Sequence, residues 1–262
     1  MSEGFGGEVA DLYKRYRHGY PAEIVAAVSD AFGLGAGDVA VDMGCGTGQL
    51  TLPLAARVRA IIGIDPEPDM LAVARRAAKR SGVSNVSWMV GSDRDLRALG
   101  RALADRSLAA ITVGQALHWM DHRDLFTQAR ELLRPGGGIA ILTNGTPLWL
   151  QDSDWSRALR AFLERWLDCE LTAQCGTDEH SQQRYREDLA DAGYEVHSAA
   201  RDWVAELDFD RLLGGILSAM GEDRLPAGER RAEFGAGVRE AVGAVERFLE
   251  RVHVALLTGR IR

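Results

Sequence analysis

This 262-residue chain has little that points to a membrane, a secretory route or a bound metal. No apolar run approaches the roughly 20 residues needed to cross a bilayer. The first ten residues are polar and glycine-rich, without the basic and apolar regions of a secretory leader. Cysteine is scarce: Cys45, Cys169 and Cys175 form no CxxC pair and leave one odd thiol, so a reduced, cytoplasmic setting is expected. No His/Cys/Asp group has metal-ligand spacing, so no metal is expected, and no GxSxG elbow occurs. Linker tracts, repeats and low-complexity segments are absent too. With 46% hydrophobic and 26% charged residues, the chain is long enough for one full α/β domain plus an elaboration. The formal charge of −7 argues against a large nucleic-acid footprint. The local basic runs (Lys14, Arg15, Arg17; Arg75, Arg76, Lys79, Arg80) read as solvated helix faces.

What is present is concentrated in residues 39–48, Val-Ala-Val-Asp-Met-Gly-Cys-Gly-Thr-Gly. A buried-strand pattern runs into Asp42, then into glycines at 44, 46 and 48, then into a helical pattern over 49–57. Glycines there leave no Cβ between the backbone and a ligand on the turn. Asp65 follows at the end of a second apolar run, placed to accept hydrogen bonds from both hydroxyls of a ribose. The dinucleotide fingerprint GxGxxG is not met, because Gln49 fills its third glycine position; this disfavours a nicotinamide or flavin reading.

From Val39 a strand–helix rhythm repeats: strands at 39–42, 60–64, 86–90, 108–114 and 138–143, helices at 49–57, 67–81, 93–104 and 121–133. The strands are short apolar runs of the kind buried on both faces, which predicts a doubly wound, mostly parallel α/β sheet. Gly44, Asp65, Ser92 and Gln115 all fall at carboxyl ends of these strands, where such folds bind ligands. Before them, a helical pattern over 8–31 is interrupted at Gly19-Tyr20-Pro21. Later, helices are expected over 149–171, 181–192, 209–220 and 229–252, with a sixth strand within 194–207 and a last strand at 252–257. The expected organisation is a helical lid (1–38), a ligand-binding core (39–144), and helical cap insertions with the closing strands of a seven-stranded sheet (145–262).

The run VDMGCGTG followed by GIDPEPDML resembles motifs I and II of the class I S-adenosylmethionine-dependent methyltransferases. Three further segments in the family's order are similar to its later motifs: Val86–Leu96, Ala109–Asp121 with its Gln115-Ala116-Leu117-His118-Trp119-Met120 ending, and Leu132–Leu142 with Leu133-Arg134-Pro135-Gly136-Gly137. Tyr16-Arg17-His18-Gly19-Tyr20-Pro21 resembles the Y-R-P-x-Y-P segment of a small-molecule subgroup, the trans-aconitate and ubiquinone/menaquinone type. His18 stands where proline is usual, and Ser92-Asp93-Arg94 where a D/S-A-E triplet is usual.

The resemblance implies a Rossmann-like methyltransferase fold and S-adenosylmethionine as cofactor, with S-adenosylhomocysteine as product. It implies that Gly44, Gly46 and Gly48 pack on the methionine part, that Asp65, Pro66 and Met70 flank the ribose, and that Ser92 and Asp93 flank the adenine. Gln115 would floor the cofactor, and Arg17 and Tyr20 would close over its methionine end. Asp42 touches either the turn's backbone or the cofactor ammonium. His118 is a candidate general base and equally a packed structural residue; Tyr20 is a second catalytic candidate. Trp149, Trp155 and Trp166 either line a substrate pocket or form core.

The acceptor expected on this reading is a small organic molecule, methylated on oxygen, nitrogen or carbon, with neither nucleic acid nor membrane as partner. Its Ala/Arg/Gly usage suits a tailoring enzyme of secondary metabolism. A protein or tRNA methyltransferase, a cofactor-binding protein without transfer activity, and a homodimer through the cap helices stay open. The Asn/Asp-Pro-Pro-Tyr/Phe run of amino-adenine methyltransferases and the Pro-Cys dipeptide of the cytosine-C5 type are both missing.

Overall fold

The computed structural model describes residues 4–103, 107–171 and 175–262. Two helices come first, α1 (Glu8–Tyr16) and α2 (Ala22–Phe32). The break between them falls where Pro21, with no amide hydrogen to donate, forces extended backbone. Then follow β1 (Val39–Met43), α3 (Thr51–Ala55), β2 (Ala60–Asp65), α4 (Pro68–Arg80), β3 (Val86–Val90), α5 (Leu96–Ala102), β4 (Leu108–Gly114), α6 (His122–Leu132) and β5 (Leu133–Asn144). The remainder is α7 (Asp154–Leu167), α8 (Glu179–Asp191), β6 (Glu195–Leu207), α9 (Phe209–Leu217), α10 (Glu229–Val242) and β7 (Phe248–Arg260). The seven strands form one sheet in the order β3-β2-β1-β4-β5-β7-β6. β1 to β5 are parallel, and β7 enters antiparallel between β5 and β6. The direction of winding reverses between β1 and β4, which opens a crevice at their carboxyl ends.

Local chemistry explains the element ends. α4 starts with Pro68, a residue suited to the first helical turn, and Asp69 adds negative charge there. The Asp121 carboxylate accepts the Asp124 amide and starts α6. Two apolar clusters cover the two faces of the sheet. One is built on Val41, Met43, Ile111, Phe126, Ile141, Tyr185 and Leu189; the other on Ile24, Val28, Phe32, Ala40, Leu54, Ala110 and Leu142. α8 belongs to the first of these, packed beside α6 and β6 on the sheet face.

A third cluster lies at one end of the sheet, where Leu159, Leu163, Leu212, Ile216, Phe234 and Val238 of α7, α9 and α10 pack together with Leu207 of β6 and Phe248 of β7. Trp155 packs edge-on against Phe248 and Trp166 against Phe234, so both tryptophans are core of this cap.

Several expected boundaries shift. The strand expected at 138–143 runs from Leu133 to Asn144, and the helix expected over 209–220 ends at Leu217. The helix at 49–57 contracts to 51–55. Residues 93–95 form a 3-10 turn ahead of α5 at 96–102, Leu103 is extended, and Ala104 lies outside the described residues. The helix expected over 149–171 occupies 154–167. The helix expected to run to 252 ends at Val242, and residues 248–260 are strand, not 252–257 alone. β7 pairs with β5 only from Val254 onward, whereas its pairing with β6 runs the whole way from Phe248 to Arg260. The first six residues of β7 and the last six of β6 therefore form a ribbon that overhangs the strand ends.

Candidate functional site

Two cavities lie over the carboxyl ends of β1, β2, β4 and β5, and they share Phe5, Tyr13, Gln115 and Trp119 as walls. The first, of about 100 Å³, is lined by Gly44, Gly46, Asp65, Pro66, Glu67, Met70, Ser92, Asp93 and Met120. The second, of about 230 Å³, is lined by Arg17, His18, Tyr20, Gln49, His118, Asn144, Trp149, Cys175, Arg211 and Glu250, among others.

Asp65 organises the first cavity. Its Oδ2 accepts the Gly46 amide at 2.7 Å and its Oδ1 accepts the Glu67 amide at 2.9 Å. Burial raises its pKa, and the two amides partly offset that. Gly46 has φ +51°, and a Cβ built on it meets no atom within 4 Å. The turn thus leaves an open cradle into which any side chain would project. The Ser92 hydroxyl accepts the Arg94 amide, and Asp93 accepts the Asp121 amide at 3.1 Å. Both residues stand at the far wall of this cavity.

Asp42 and Gly48 line neither cavity. Asp42 is buried beneath the turn, where Thr51 and Thr112 donate their hydroxyls to it at 2.5 and 2.7 Å. Burial pushes its pKa up to about 6, against the pull of those two hydroxyls. The side-chain partners of Asp42 are thus two threonine hydroxyls, a role that neither of the two expected for it describes. A Cβ on Gly48 would sit 3.0 Å from the Trp88 ring, so this glycine serves the packing of the turn on β3.

The second cavity holds unfinished hydrogen bonding. Among the described residues, Arg17 Nε, Gln115 Oε1, Asn144 Oδ1 and Trp149 Nε1 are buried atoms without a partner. Buried polar atoms are normally satisfied, so a cluster of four on one cavity marks a place for a ligand. Gln115 is also held at φ +54°, an uncommon conformation for a side-chain-bearing residue. Its Nε2 donates to Asn144 O at 3.2 Å, which turns Oε1 to the unpaired role. The Arg17 guanidinium lies 5.6 Å from the Tyr13 ring centroid.

His118 is half-buried against Trp119, ring centroids 4.9 Å apart, and burial lowers its pKa, so it is a neutral imidazole at pH 7. Tyr20 is partly buried, and desolvation raises its pKa well above the usual phenol value, so it keeps its proton.

The lid that carries these residues is tied down. α1 packs against α4 and α9; the Gly7 amide donates to Asp69, Arg76 pairs with Asp11 at 2.7 Å, and Tyr16 donates to Asp210 at 3.1 Å.

Several lining residues were not among the candidates read from the sequence. Tyr13 lies four residues before Arg17 on one helix face, a visible spacing. Glu67 is the second acid of Asp65-Pro66-Glu67-Pro68, and Asn144 ends β5 beside Gln115. Glu250 gave no signal, because its segment reads as helix.

The family described as methyltransferase domain matches residues 40–137. An uncharacterized methyltransferase of Mycobacterium tuberculosis is 33% identical over 144 residues, 55% of this chain and 53% of that protein. Residues 40–137 are thus similar to a methyltransferase domain. The ubiquinone/menaquinone biosynthesis C-methyltransferase of Rubrivivax gelatinosus is 31% identical over 115 residues, 44% of this chain and 42% of that one. The methyltransferase domain thus spans about half the length of the curated relatives it matches, or less. A solved structure from Anaeromyxobacter dehalogenans, provisionally named a type II methyltransferase, superposes with TM-score 0.61 at 22% identity, over 94% of this chain and 98% of that one. This last likeness establishes the α/β methyltransferase fold. The open cradle at Gly46, and the unpaired Arg17 Nε and Gln115 Oε1, fit S-adenosylmethionine, the cofactor that the sequence resemblance implies. No helix among the described residues is long and apolar enough to cross a membrane.

Proposed function

We propose that this protein transfers a methyl group from S-adenosylmethionine to a small organic molecule seated in the second cavity. When bound, the cofactor supplies an electrophilic methyl group on a cationic sulfur. In this reading Asp65 holds the ribose, Ser92 and Asp93 flank the adenine, and Pro66 and Met70 pack on the nucleoside. Arg17 faces the carboxylate of the methionine end, where a guanidinium pairs with two oxygens at once. Gln115 accepts from the ammonium.

The observation that carries the proposal is the shared wall. Tyr13 and Gln115 line both cavities, so a donor in one and an acceptor in the other meet there. Holding two reactants at such a junction supplies much of the acceleration a displacement needs, with or without a general base. The size of the second cavity and the net charge of −7 favour a small acceptor over a nucleic acid.

Two measurements test this. Calorimetric titration with S-adenosylhomocysteine is expected to show micromolar binding. Release of S-adenosylhomocysteine from S-adenosylmethionine in the presence of small acceptors separates a transferase from a protein that only holds the cofactor. Absence of binding by folded protein, together with binding of NADH, would overturn the reading.

A further inference from the structure

His18 and Glu250 form a pair inside the second cavity. His18 Nε2 lies 2.8 Å from Glu250 Oε2, and the side chains are 28% and 12% exposed. Both line the cavity wall. They come from segments 232 residues apart: His18 from the turn after α1, Glu250 from the overhanging ribbon of β7. The position of the imidazole is supported on several sides. The Trp203 ring stands edge-on to it, centroids 6.2 Å apart. Asn144 Nδ2 donates to the His18 carbonyl at 3.5 Å, and Gln49 Nε2 donates to the Arg17 carbonyl at 2.9 Å.

A carboxylate at Nε2 favours the tautomer in which that nitrogen carries the hydrogen. Nδ1 is then left as a lone pair, and no described residue takes it. On the same wall, Asn144 Oδ1 lacks a donor and Trp149 Nε1 lacks an acceptor. A hydroxyl seated here accepts from Trp149 Nε1 and gives its one hydrogen to His18 Nδ1, leaving Asn144 Oδ1 for a second donor on the ligand. A carboxylate has no hydrogen to give Nδ1, and a methylated ammonium has no lone pair for Trp149.

Resting on the methyl-transfer reading above, we propose that His18 is the proton acceptor of this site, with Glu250 as its positioning residue, and that the methyl acceptor is a hydroxyl compound. The acceptor O–H proton passes to His18 Nδ1 as the oxygen–methyl bond forms and the sulfur–methyl bond breaks. The electron pair of that bond stays on sulfur in S-adenosylhomocysteine. The imidazolium, held by Glu250, then returns its proton to water. The products balance as methyl ether, S-adenosylhomocysteine and one proton.

The first arm of the test needs no acceptor. Long-range ¹H–¹⁵N spectra of the imidazoles, recorded with S-adenosylhomocysteine bound and assigned by loss of a signal in His18→Asn, report the tautomer. The Nε2–H form is expected, shifting toward a mixture in Glu250→Gln; an Nδ1–H form overturns the proposal. The second arm follows tritiated methyl from S-adenosylmethionine into a panel of phenols and aliphatic alcohols beside matching carboxylates. Label is expected in hydroxyl compounds. His18→Asn is expected to lower kcat on these by about 100-fold or more with KM moved less than threefold, the ordinary contribution of a general base. Glu250→Gln should lower kcat less, again without moving KM, and Glu250→Asp should restore part of it. Label confined to carboxylates, label in none of the panel, or equal losses on both classes in His18→Asn would overturn it. Failure of S-adenosylhomocysteine to bind wild-type protein is a different result, and would remove the methyl-transfer reading itself.

Discussion

Asp65 Oδ2 accepts the amide hydrogen of Gly46 at 2.7 Å, so the acid at the end of β2 and the glycine turn after β1 are one hydrogen-bonded unit. The carboxylate uses its second oxygen on the Glu67 amide and still borders the first cavity. One side chain therefore both holds the turn and lines the cavity.

Asp65→Asn keeps the size but leaves a single accepting oxygen, so one of the two amides loses its partner. Loss of a charge-assisted hydrogen bond costs about 1.5–3 kcal/mol. Affinity for S-adenosylhomocysteine is expected to fall about 10- to 100-fold by calorimetry, with folding retained. Unchanged affinity would remove Asp65 from the cofactor site.

The glycines of the turn separate by what they face. Gly46→Ala, at φ +51° with an open cavity before it, is expected to weaken S-adenosylhomocysteine binding at least ~50-fold while costing about 1–2 kcal/mol of stability from the left-handed backbone. Gly48→Ala, at φ +76° and 3.0 Å from Trp88, adds a packing clash to the same strain and is expected to cost about 2–4 kcal/mol. Affinity of its folded fraction should stay within about threefold of wild type. Urea melts beside titrations distinguish the two.

Asp42 makes stability depend on pH. Its folded pKa, about 6, lies above the usual carboxylate value, so the folded protein holds this proton over a range in which the unfolded chain has released it. Its contribution to stability is present below about pH 4 and is lost as pH rises to 6. The size is about 3 kcal/mol, at 1.36 kcal/mol per unit. Asp65, raised in the same direction, adds to the trend. Asp42→Asn removes the ionisation while Thr51 and Thr112 rotate their hydroxyls to suit. The expected result is a variant whose unfolding free energy, relative to wild type, rises between pH 4 and 6. A constant difference across that window would count against the buried charge.

The cap has a core of its own. Phe234 is fully buried between Phe162 and Trp166, and truncation to alanine is expected to cost about 3–5 kcal/mol. Because this cluster lies apart from the glycine turn, folded Phe234→Ala should bind S-adenosylhomocysteine as wild type does in a titration at low temperature.

How far the sequence discloses all this depends on how local each feature is. β1 to β4 and the turn ends are legible because strands buried on both faces are continuous apolar runs, and because Gly44, Asp65, Ser92 and Gln115 fall at their ends. Arg17, Tyr20 and His118 do reach the second cavity, and Pro66, Met70 and Asp93 the first. The role of Asp42 was not legible, since a strand-end acid can face either way and only the threonines at 51 and 112 decide it. Residues 248–252, Phe-Leu-Glu-Arg-Val, suit a helix as well as a strand, and what makes them strand is pairing with 203–207, some 40 residues earlier. That misreading hid Glu250. Trp149 lines the cavity while Trp155 and Trp166 are core, although all three sit in one segment of the sequence.

The place of β7 between β5 and β6 also sets a timetable. A ribosome releases β6 well before β7, and at that moment β6 has no neighbour to pair with, because its partner is still unmade. The glycine turn, Asp65 and Gln115 lie in or just after strands already emerged, so the first cavity is able to assemble on the nascent chain. The second cavity waits for residues 248–260 to slide into the slot and bring Glu250 to His18. Until then the open margins of β5 and β6 are where this chain is most exposed to pairing with the wrong strand.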